Sequence, residues 1–305
     1  MKNLSFKVDI RATVIATLLL VLSVGIMHVV PTLAIIILPF ITIPGTILWY
    51  RSKPSFFVAV VITLCATVLL GNVYLLTTMT LIIFMSVFVG QLLIERTSKE
   101  RTLYLVTTFM SILTICSVLI LQVTGHLQTT TKLFSQLQDG VSSQIQMSGM
   151  VMPEYEAALQ QVVNFMQVIV PGFIVISILL FVLVNLLVTF PILRKFKVVT
   201  PVFRPLFMWQ INRSVATIFV LAILAGFFVK EENVVAYGIV INLQFVLEWV
   251  IFIQALSLFH LYVKVKKLPV VVGILIFVFA FIFNKYAYLF GLMDIWFNLK
   301  QRIKK

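Results

Sequence analysis

The chain is poor in charged residues and poorest in acidic ones. Only 11% of its 305 residues are charged, and 10 aspartates and glutamates stand against 23 lysines and arginines. In soluble globular domains about a quarter of all residues are charged, so this composition excludes that class of protein. The chain is also too rich in large apolar side chains to be intrinsically disordered.

Cysteine, histidine and the common catalytic motifs are equally scarce. Cys65 and Cys116 both lie in apolar runs without a metal-type spacing, which predicts packing roles and no disulfide. His28, His126 and His260 are too scattered to suggest a metal site. The sequence has no GxxxxGK[ST], HExxH or GxSxG motif. We therefore expect no catalytic residues, no metal and no cofactor, and we predict that the protein is not an enzyme.

Long apolar runs are what the sequence has in abundance. The hydrophobic share is 61% and the mean hydropathy is +1.13. Residues 14–24 and 270–283 are almost continuously apolar, unlike the alternating strands of a membrane β-barrel. A membrane-spanning helix needs about 20 apolar residues, so a chain of this length allows about eight to ten spans. The sequence predicts an all-α, polytopic transmembrane helical bundle.

The runs fall into three consecutive segments. Residues 1–125 predict an N-terminal bundle of five spans, and residues 161–305 predict a C-terminal membrane bundle with basic cytoplasmic segments. Between them, residues 126–160 are polar, with apolar residues at helical spacing, which predicts amphipathic helices on the membrane surface or capping the bundle. Residues 286–299 are apolar but short for a span, and the pattern leaves open whether they cross the membrane or re-enter it.

Basic residues cluster at alternate ends of the runs. They precede the first run and follow the second, fourth, sixth and eighth, as Arg11, Arg51 and Arg96 illustrate. By the positive-inside rule this pattern predicts a cytoplasmic amino terminus and an extracytoplasmic segment 126–160. We expect a multi-pass protein of the cell membrane whose partner is the lipid bilayer. Orientation explains the basic charge, so no nucleic-acid partner is expected.

Among the acidic residues, Glu248 alone lies deep inside a long apolar run, residues 234–263. A carboxylate at mid-membrane is costly and commonly serves a pathway, a partner or a ligand. Gln244 lies one helical turn earlier on the same face, and Asn242 lies on a neighbouring face. These three residues are candidates for a polar lining that binds a small-molecule ligand, a cation or a proton. The alternative is a structural role in which Glu248 locks two helices together.

Two further polar residues in apolar surroundings are interpreted as structural. Asp294 has Lys300 and Arg302 close by in sequence, and either could neutralise it. Asn185 lies within a predicted span, where an amide most often bonds to a neighbouring helix.

Two segments are candidates for docking a partner protein. Ala12 and Ala16 form a small-xxx-small pair in the first run, a spacing that lets helices approach closely. Arg204, Trp209 and Arg213 belong to an aromatic and basic segment before a span. That segment reads either as an interfacial belt or as a cytoplasmic docking element.

Three segments carry a family resemblance. Residues 201–214, PVFRPLFMWQINRS, resemble a Pro-Phe-x-x-Trp-x-x-x-Arg-Ser signature. Residues 291–300, GLMDIWFNLK, resemble a Gly-x-x-Asp-x-x-Phe-Asp/Asn-x-Arg/Lys ending, and residues 252–269 resemble a penultimate region of the same proteins. The chain thereby resembles the YybS-like family of Firmicute membrane proteins, whose function is unknown. The resemblance implies a membrane-bound cyclic-di-AMP phosphodiesterase as a partner, because such an enzyme is often encoded near family members.

A looser likeness covers the first 125 residues. Two abutting apolar runs, the prolines at 39 and 44, and Gly90 are similar to features of substrate-binding S-components of energy-coupling-factor vitamin transporters. In that class an Ala-x-x-x-Ala pair docks the energising module, as Ala12 and Ala16 could. The likeness implies a small-molecule transport component without an ATPase of its own. The alternative is a non-transporting scaffold, or a regulatory partner of a membrane enzyme or envelope complex.

Overall fold

The computed structural model describes residues 8–147, 153–230 and 232–303, and within these ranges the chain is helical with no β-strand. The all-α prediction is thereby confirmed. The helices are α1 Ile10–Val29, α2 Ala34–Arg51, α3 Lys53–Leu69, α4 Val73–Ile94, α5 Lys99–Val123, α6 Thr130–Met147, α7 Pro153–Lys195, α8 Arg213–Phe228, α9 Val234–Val265, α10 Val270–Ile282, α11 Asn284–Phe297 and α12 Leu299–Ile303.

Six of the described helical segments are long and apolar enough to cross a membrane, which confirms a polytopic membrane protein. They lie in α1, in α2 with the turn before it, and in α4, α5, α7 and α9. Helices α3 and α8 are shorter and apolar. The apolar run at residues 270–283 supplies only the first half of a pair, α10 and α11, bent by 106°. At 1.5 Å per residue each member of the pair covers only about 20 Å, short of a bilayer core of about 30 Å.

By packing, the chain divides into two compact units. The first unit lies within residues 1–128 and 177–203, and the second within residues 129–176 and 204–305. Helix α7 contributes its last turns to the first unit and its earlier turns to the second. The three consecutive segments predicted from sequence describe membrane topology, and they stay a prediction.

In the first unit α2 and α4 pack closely because glycines lie where they meet. A Cβ atom on Gly45 would come within 2.9 Å of the Ser86 side chain, and one on Gly90 within 2.8 Å of the Trp49 ring. Two helices can approach this closely only where one of them has no side chain. The apolar core around them includes Met85, which is fully buried.

Polar side chains brace α2 where its prolines interrupt the helix. Pro39 and Pro44 lie inside α2, and a proline nitrogen cannot donate the usual helical hydrogen bond. The buried Asn185 of α7 donates to the Pro39 carbonyl (2.9 Å) and to Thr42 Oγ1 (2.9 Å). Ser86 Oγ of α4 donates to the Thr42 carbonyl (3.2 Å). Asn185 thus makes the interhelical bonds that its position in an apolar run suggested.

In the second unit α9 is the central helix, and α8, α10 and α11 pack around it. Gly291 of α11 faces the backbone of α9 so closely that a Cβ atom there would overlap the Ile251 carbonyl oxygen. Ala216 and Phe219 of α8 join Ile251 and Ile295 in one buried apolar cluster. The absence of a side chain at Gly291 therefore sets the distance between α9 and α11.

Three helix ends share one turn geometry. Arg96, Lys197 and Lys267 follow α4, α7 and α9 with φ of 54°, 62° and 49°. In each case the next residue donates its backbone N–H to the carbonyl five positions earlier: Thr97 to Leu92 (3.1 Å), Val198 to Leu193 (3.1 Å) and Leu268 to Val263 (3.0 Å). This is the Schellman ending, in which the left-handed position is most often glycine. Here it is a lysine or an arginine each time.

Helix α6 has an apolar face and a polar face. Its apolar residues Leu133, Leu137 and Val141 are 39%, 61% and 37% exposed. They recur at intervals of four, so they share one face of the helix. No other part of the second unit covers that face within the described residues, so it is exposed.

Candidate functional site

Helices α10 and α11 both pack along α9, and the chain reverses its direction at the bend between them. Gly273 of α10 lies against Val263, and Phe281 stacks its ring edge on Phe252 with centroids 5.1 Å apart, so α10 is antiparallel to α9. Gly291 lies against Ile251, so α11 then follows α9 in the parallel direction. The break at residues 283–284 therefore lies beside the middle of α9, and both ends of the pair lie toward the end of α9.

Glu248 lies on α9 at the level of this break. It is half-buried, and it interacts electrostatically with Lys285 and Tyr288 of α11. Its carboxylate has no hydrogen-bond or ion-pair partner among the residues that the structure describes. A carboxylate without a partner in a membrane-spanning helix is costly, which makes this the strongest candidate site for a ligand.

The other two predicted ligand residues face different neighbours. Asn242 accepts a hydrogen bond from the Gly172 N–H of α7 (2.6 Å) and donates to the Val168 carbonyl (2.8 Å). Gln244 donates to the Ala222 carbonyl of α8 (2.7 Å). The structure thus directs Asn242 to α7, Gln244 to α8 and Glu248 to α11, so the three do not form one polar lining.

A second polar centre surrounds Asp294, which is only 2% exposed. Its Oδ2 accepts from Gln254 Nε2 (2.5 Å), and its Oδ1 accepts from the Lys300 backbone N–H (2.9 Å). Gln254 in turn accepts from the Ile211 N–H (3.0 Å). The Lys300 ammonium lies 3.7 Å from Asp294 Oδ2, so the two form a buried ion pair.

Lys300 and Ser257 extend this network to the segment before α8. The Lys300 Nζ donates to Ser257 Oγ (2.6 Å) and to the Trp209 carbonyl. Ser257 Oγ also lies 3.0 Å from the Trp209 carbonyl and 2.5 Å from the Leu206 carbonyl. The network therefore joins residues 206–211, 254–257 and 294–300, which lie in the three segments that carry the family resemblance. It also places residue 300 beside residue 209, on one side of the second unit.

Sequence reasoning named Asp294 and Trp209, and Gln254 as a residue that bonds between helices, but missed the structural role of Ser257. The signal was present, because Gln254 and Ser257 are three residues apart in an apolar helix and so share a face. Two polar residues on one face of a membrane helix indicate a polar partner opposite them.

The predicted docking residues lie in different settings. Ala16 is buried against Phe56 and Ala59 of α3, and Ala12 packs half-buried beside it. Arg204 and Arg213 are exposed, and the Trp209 Nε1 donates to the Arg204 carbonyl (2.7 Å). A docking role for any of these residues stays a prediction. Within the described ranges no three His, Cys, Asp or Glu side chains come together as a metal site.

The fold and its buried polar centres define a polytopic integral membrane protein. The chain belongs to the family described as "Predicted membrane protein (DUF2232)", whose profile matches residues 14–295. It is similar to "Uncharacterized protein YybS" of Bacillus subtilis (strain 168), with 24% identity over 149 residues, which are 48% of this chain and 48% of that protein. The aligned part thus spans about half the length of this relative. No solved structure matches the chain.

Proposed function

We propose that this protein is a membrane transport component that binds a small molecule at the break between α10 and α11. The observation that carries the proposal is the unpartnered Glu248 carboxylate beside that break. Many transporters bind substrate where a discontinuous helix exposes backbone groups near the middle of the bilayer. Such irregular backbone is tolerated at that depth only where protein or a water-filled cavity surrounds it.

The charges at the break suggest the chemistry of the substrate. Glu248 offers an acceptor for an ammonium or another cationic group. Lys285 and the positive end of the α11 dipole favour an anionic group. A small zwitterion or an organic cation fits this arrangement.

Binding by the purified full chain tests the proposal. The standard amino acids, choline and thiamine are screened for thermal stabilisation in mild detergent, and hits are measured as uptake into native cells, which supply the energising module. Glu248→Gln should abolish stabilisation and uptake while the unliganded melting temperature stays the same. Glu232→Gln, which removes an exposed carboxylate before α9, is the matched control. Equal uptake by Glu248→Gln and the unaltered protein would contradict the proposal.

Under this proposal the chain depends on a separate energising module, because its sequence has no nucleotide-binding P-loop. The proposal assigns no catalytic step to the protein and places it in the cell membrane. Purification from native membranes in mild detergent, followed by mass spectrometry, should recover an ATPase pair with a transmembrane coupling subunit.

The exposed apolar face of α6 favours a second candidate function, a scaffold or regulatory partner. Leu133, Leu137 and Val141 are open on that face, and such a face commonly covers a partner or lies on lipid. In this role the protein would hold a membrane enzyme, such as a signalling phosphodiesterase, or an envelope complex. Deletion of residues 128–149 should then release the partner and leave the bundle folded. A partner retained after the deletion argues against the scaffold.

A further inference from the structure

A cavity of about 320 Å³ opens beside the buried Asp294–Lys300 network. Its polar lining consists of Arg204 and Gln210 from the segment before α8, and Asn298, Lys300 and Gln301 from the segment after α11. Phe207 supplies an apolar wall. Both segments belong to the second unit.

Among the residues that the structure describes, the cavity carries uncompensated positive charge. The one carboxylate beside it within that part of the chain, Asp294, is buried and paired with Lys300. Arg204 is exposed, and the Lys264 ammonium lies 3.8 Å from the centroid of the Phe207 ring, at the cavity wall. Glu248, the only carboxylate in α9, is about 24 Å from Lys264 along the helix axis. Arg204 and Lys264 therefore set a positive potential here.

The rim of the cavity is fixed by the network behind it. Gln210 Nε2 donates to Asn298 Oδ1 (3.1 Å), which joins the two lining segments. Asn298 has φ of 50°, and this left-handed residue ends α11 and turns Lys300 back toward Asp294. Donors held in position in this way bind an anion at lower entropic cost than free surface lysines do.

The surroundings match the depth of lipid headgroups. Met208, which lines the cavity, is 52% exposed, and Trp296 and Phe297, which precede the lining residue Asn298, are 41% and 59% exposed. Exposed aromatic and apolar side chains next to arginine and lysine are typical of the membrane–water interface. The cavity thus combines a positive rim with an apolar border.

We propose that this cavity binds a phosphate ester. The Arg204 guanidinium would donate two parallel hydrogen bonds to phosphate oxygens, a geometry that arginine favours. The amides of Gln210 and Gln301 supply further donors, and Lys264 adds attraction. An anionic phospholipid headgroup and a soluble phosphate ester offer the same chemistry. This proposal does not depend on transport at Glu248.

The test uses the full chain in detergent, with phosphatidylglycerol binding followed by native mass spectrometry and with AMP and inorganic phosphate as competitors. Arg204→Gln should weaken binding about tenfold or more, because a charge-assisted bidentate contact is lost. Lys266→Gln removes one exposed positive charge outside the cavity and should change binding less than about twofold. Gln301→Leu, at a second exposed lining residue, should also weaken binding and is informative if Arg204→Gln folds poorly.

The competitors identify the source of the phosphate. Binding of phosphatidylglycerol that millimolar AMP does not displace assigns the cavity to a lipid headgroup, whereas displacement assigns it to a soluble phosphate ester. Equal losses in Arg204→Gln and Lys266→Gln would overturn the proposal, since the attraction would then come from the whole basic face. Failure of all three probes to bind would overturn it as well.

Discussion

The first unit buries neutral polar side chains between its helices, whereas the second unit buries an ion pair. Thr42, Ser86 and Asn185 in the first unit bond to each other or to backbone carbonyls. Asp294 in the second unit is held by an ammonium, an amide and a backbone N–H. The same membrane environment thus contains two very different kinds of polar interior.

The difference distinguishes polar side chains that hold helices together from charged side chains that bind ligands. Neutral side chains of α4 and α7 bond to backbone carbonyls near the prolines of α2, and this needs no charge. Charged side chains inside a membrane are costly, so they are retained where they bind a ligand or pair with another residue. Both the unpartnered carboxylate and the positive cavity lie in the second unit, which is where we expect ligands to bind. Four substitutions test this contrast, from the largest expected effect to the smallest.

Removing the cation of the second unit should have the largest effect. Lys300→Met leaves the Asp294 carboxylate buried without its charged partner, which should lower the free energy of unfolding by about 3 kcal/mol. Thermal unfolding of the purified protein, followed by size-exclusion fluorescence, measures the loss. The double variant Lys300→Met with Asp294→Asn should recover much of it. A single variant as stable as the unaltered protein would show that the ion pair does not hold this face together.

The close approach of α9 and α11 is the next most sensitive feature. In Gly291→Ala the new Cβ would overlap the Ile251 carbonyl oxygen, and a backbone atom cannot move aside cheaply. We expect a loss of about 2 kcal/mol in the same unfolding assay. Gly238→Ala is the matched control in α9, because a Cβ atom there meets nothing within 4 Å. It should be neutral or stabilising, and equal losses in both variants would contradict the close packing.

A smaller effect is expected for the neutral network of the first unit. Asn185→Leu removes the bonds to the Pro39 carbonyl and to Thr42, and hydrogen bonds between membrane helices average well under 1 kcal/mol each. We expect a loss of about 1 kcal/mol in thermal unfolding. A loss as large as that of Lys300→Met would remove the contrast between the two units.

The smallest effect on stability is expected at Glu248. Glu248→Gln removes no hydrogen bond or ion pair within the described structure, so the free energy of unfolding should change by less than about 0.5 kcal/mol. A marked gain in stability together with lost uptake would strengthen the ligand-site interpretation. A large loss of stability would instead assign Glu248 to helix packing, the alternative that the sequence left open.

The class of fold was predictable because a membrane span needs a long apolar run, and such runs are visible in sequence. Glu248 and Asp294 were identifiable for the same reason, since a charge is conspicuous in apolar surroundings. Lys300 and Arg302 were both anticipated as partners of Asp294 because they are close in sequence, and the structure pairs Asp294 with Lys300.

The bend between α10 and α11 was not predictable in the same way. No proline or glycine marks Phe283, and the bend depends on tertiary packing of Gly291 against α9. The local signal was Asn284-Lys285, two polar residues interrupting an apolar stretch. Asn242 and Gln244 were recognised as polar, but the helices that they face depend on packing that periodicity does not encode.

Under the orientation that the sequence predicts, the lysines and the arginine at the left-handed helix ends should also affect how the chain is inserted during synthesis. At Arg96, Lys197 and Lys267 a glycine would adopt the backbone angle more easily, by about 1 kcal/mol. A glycine would, however, carry no charge for the insertion machinery to retain on the cytoplasmic side. Under that predicted orientation, one residue would both end the helix and direct the orientation of the nascent segment. Glycine at all three positions should make the turns more stable, but a larger fraction of the protein should insert with inverted topology.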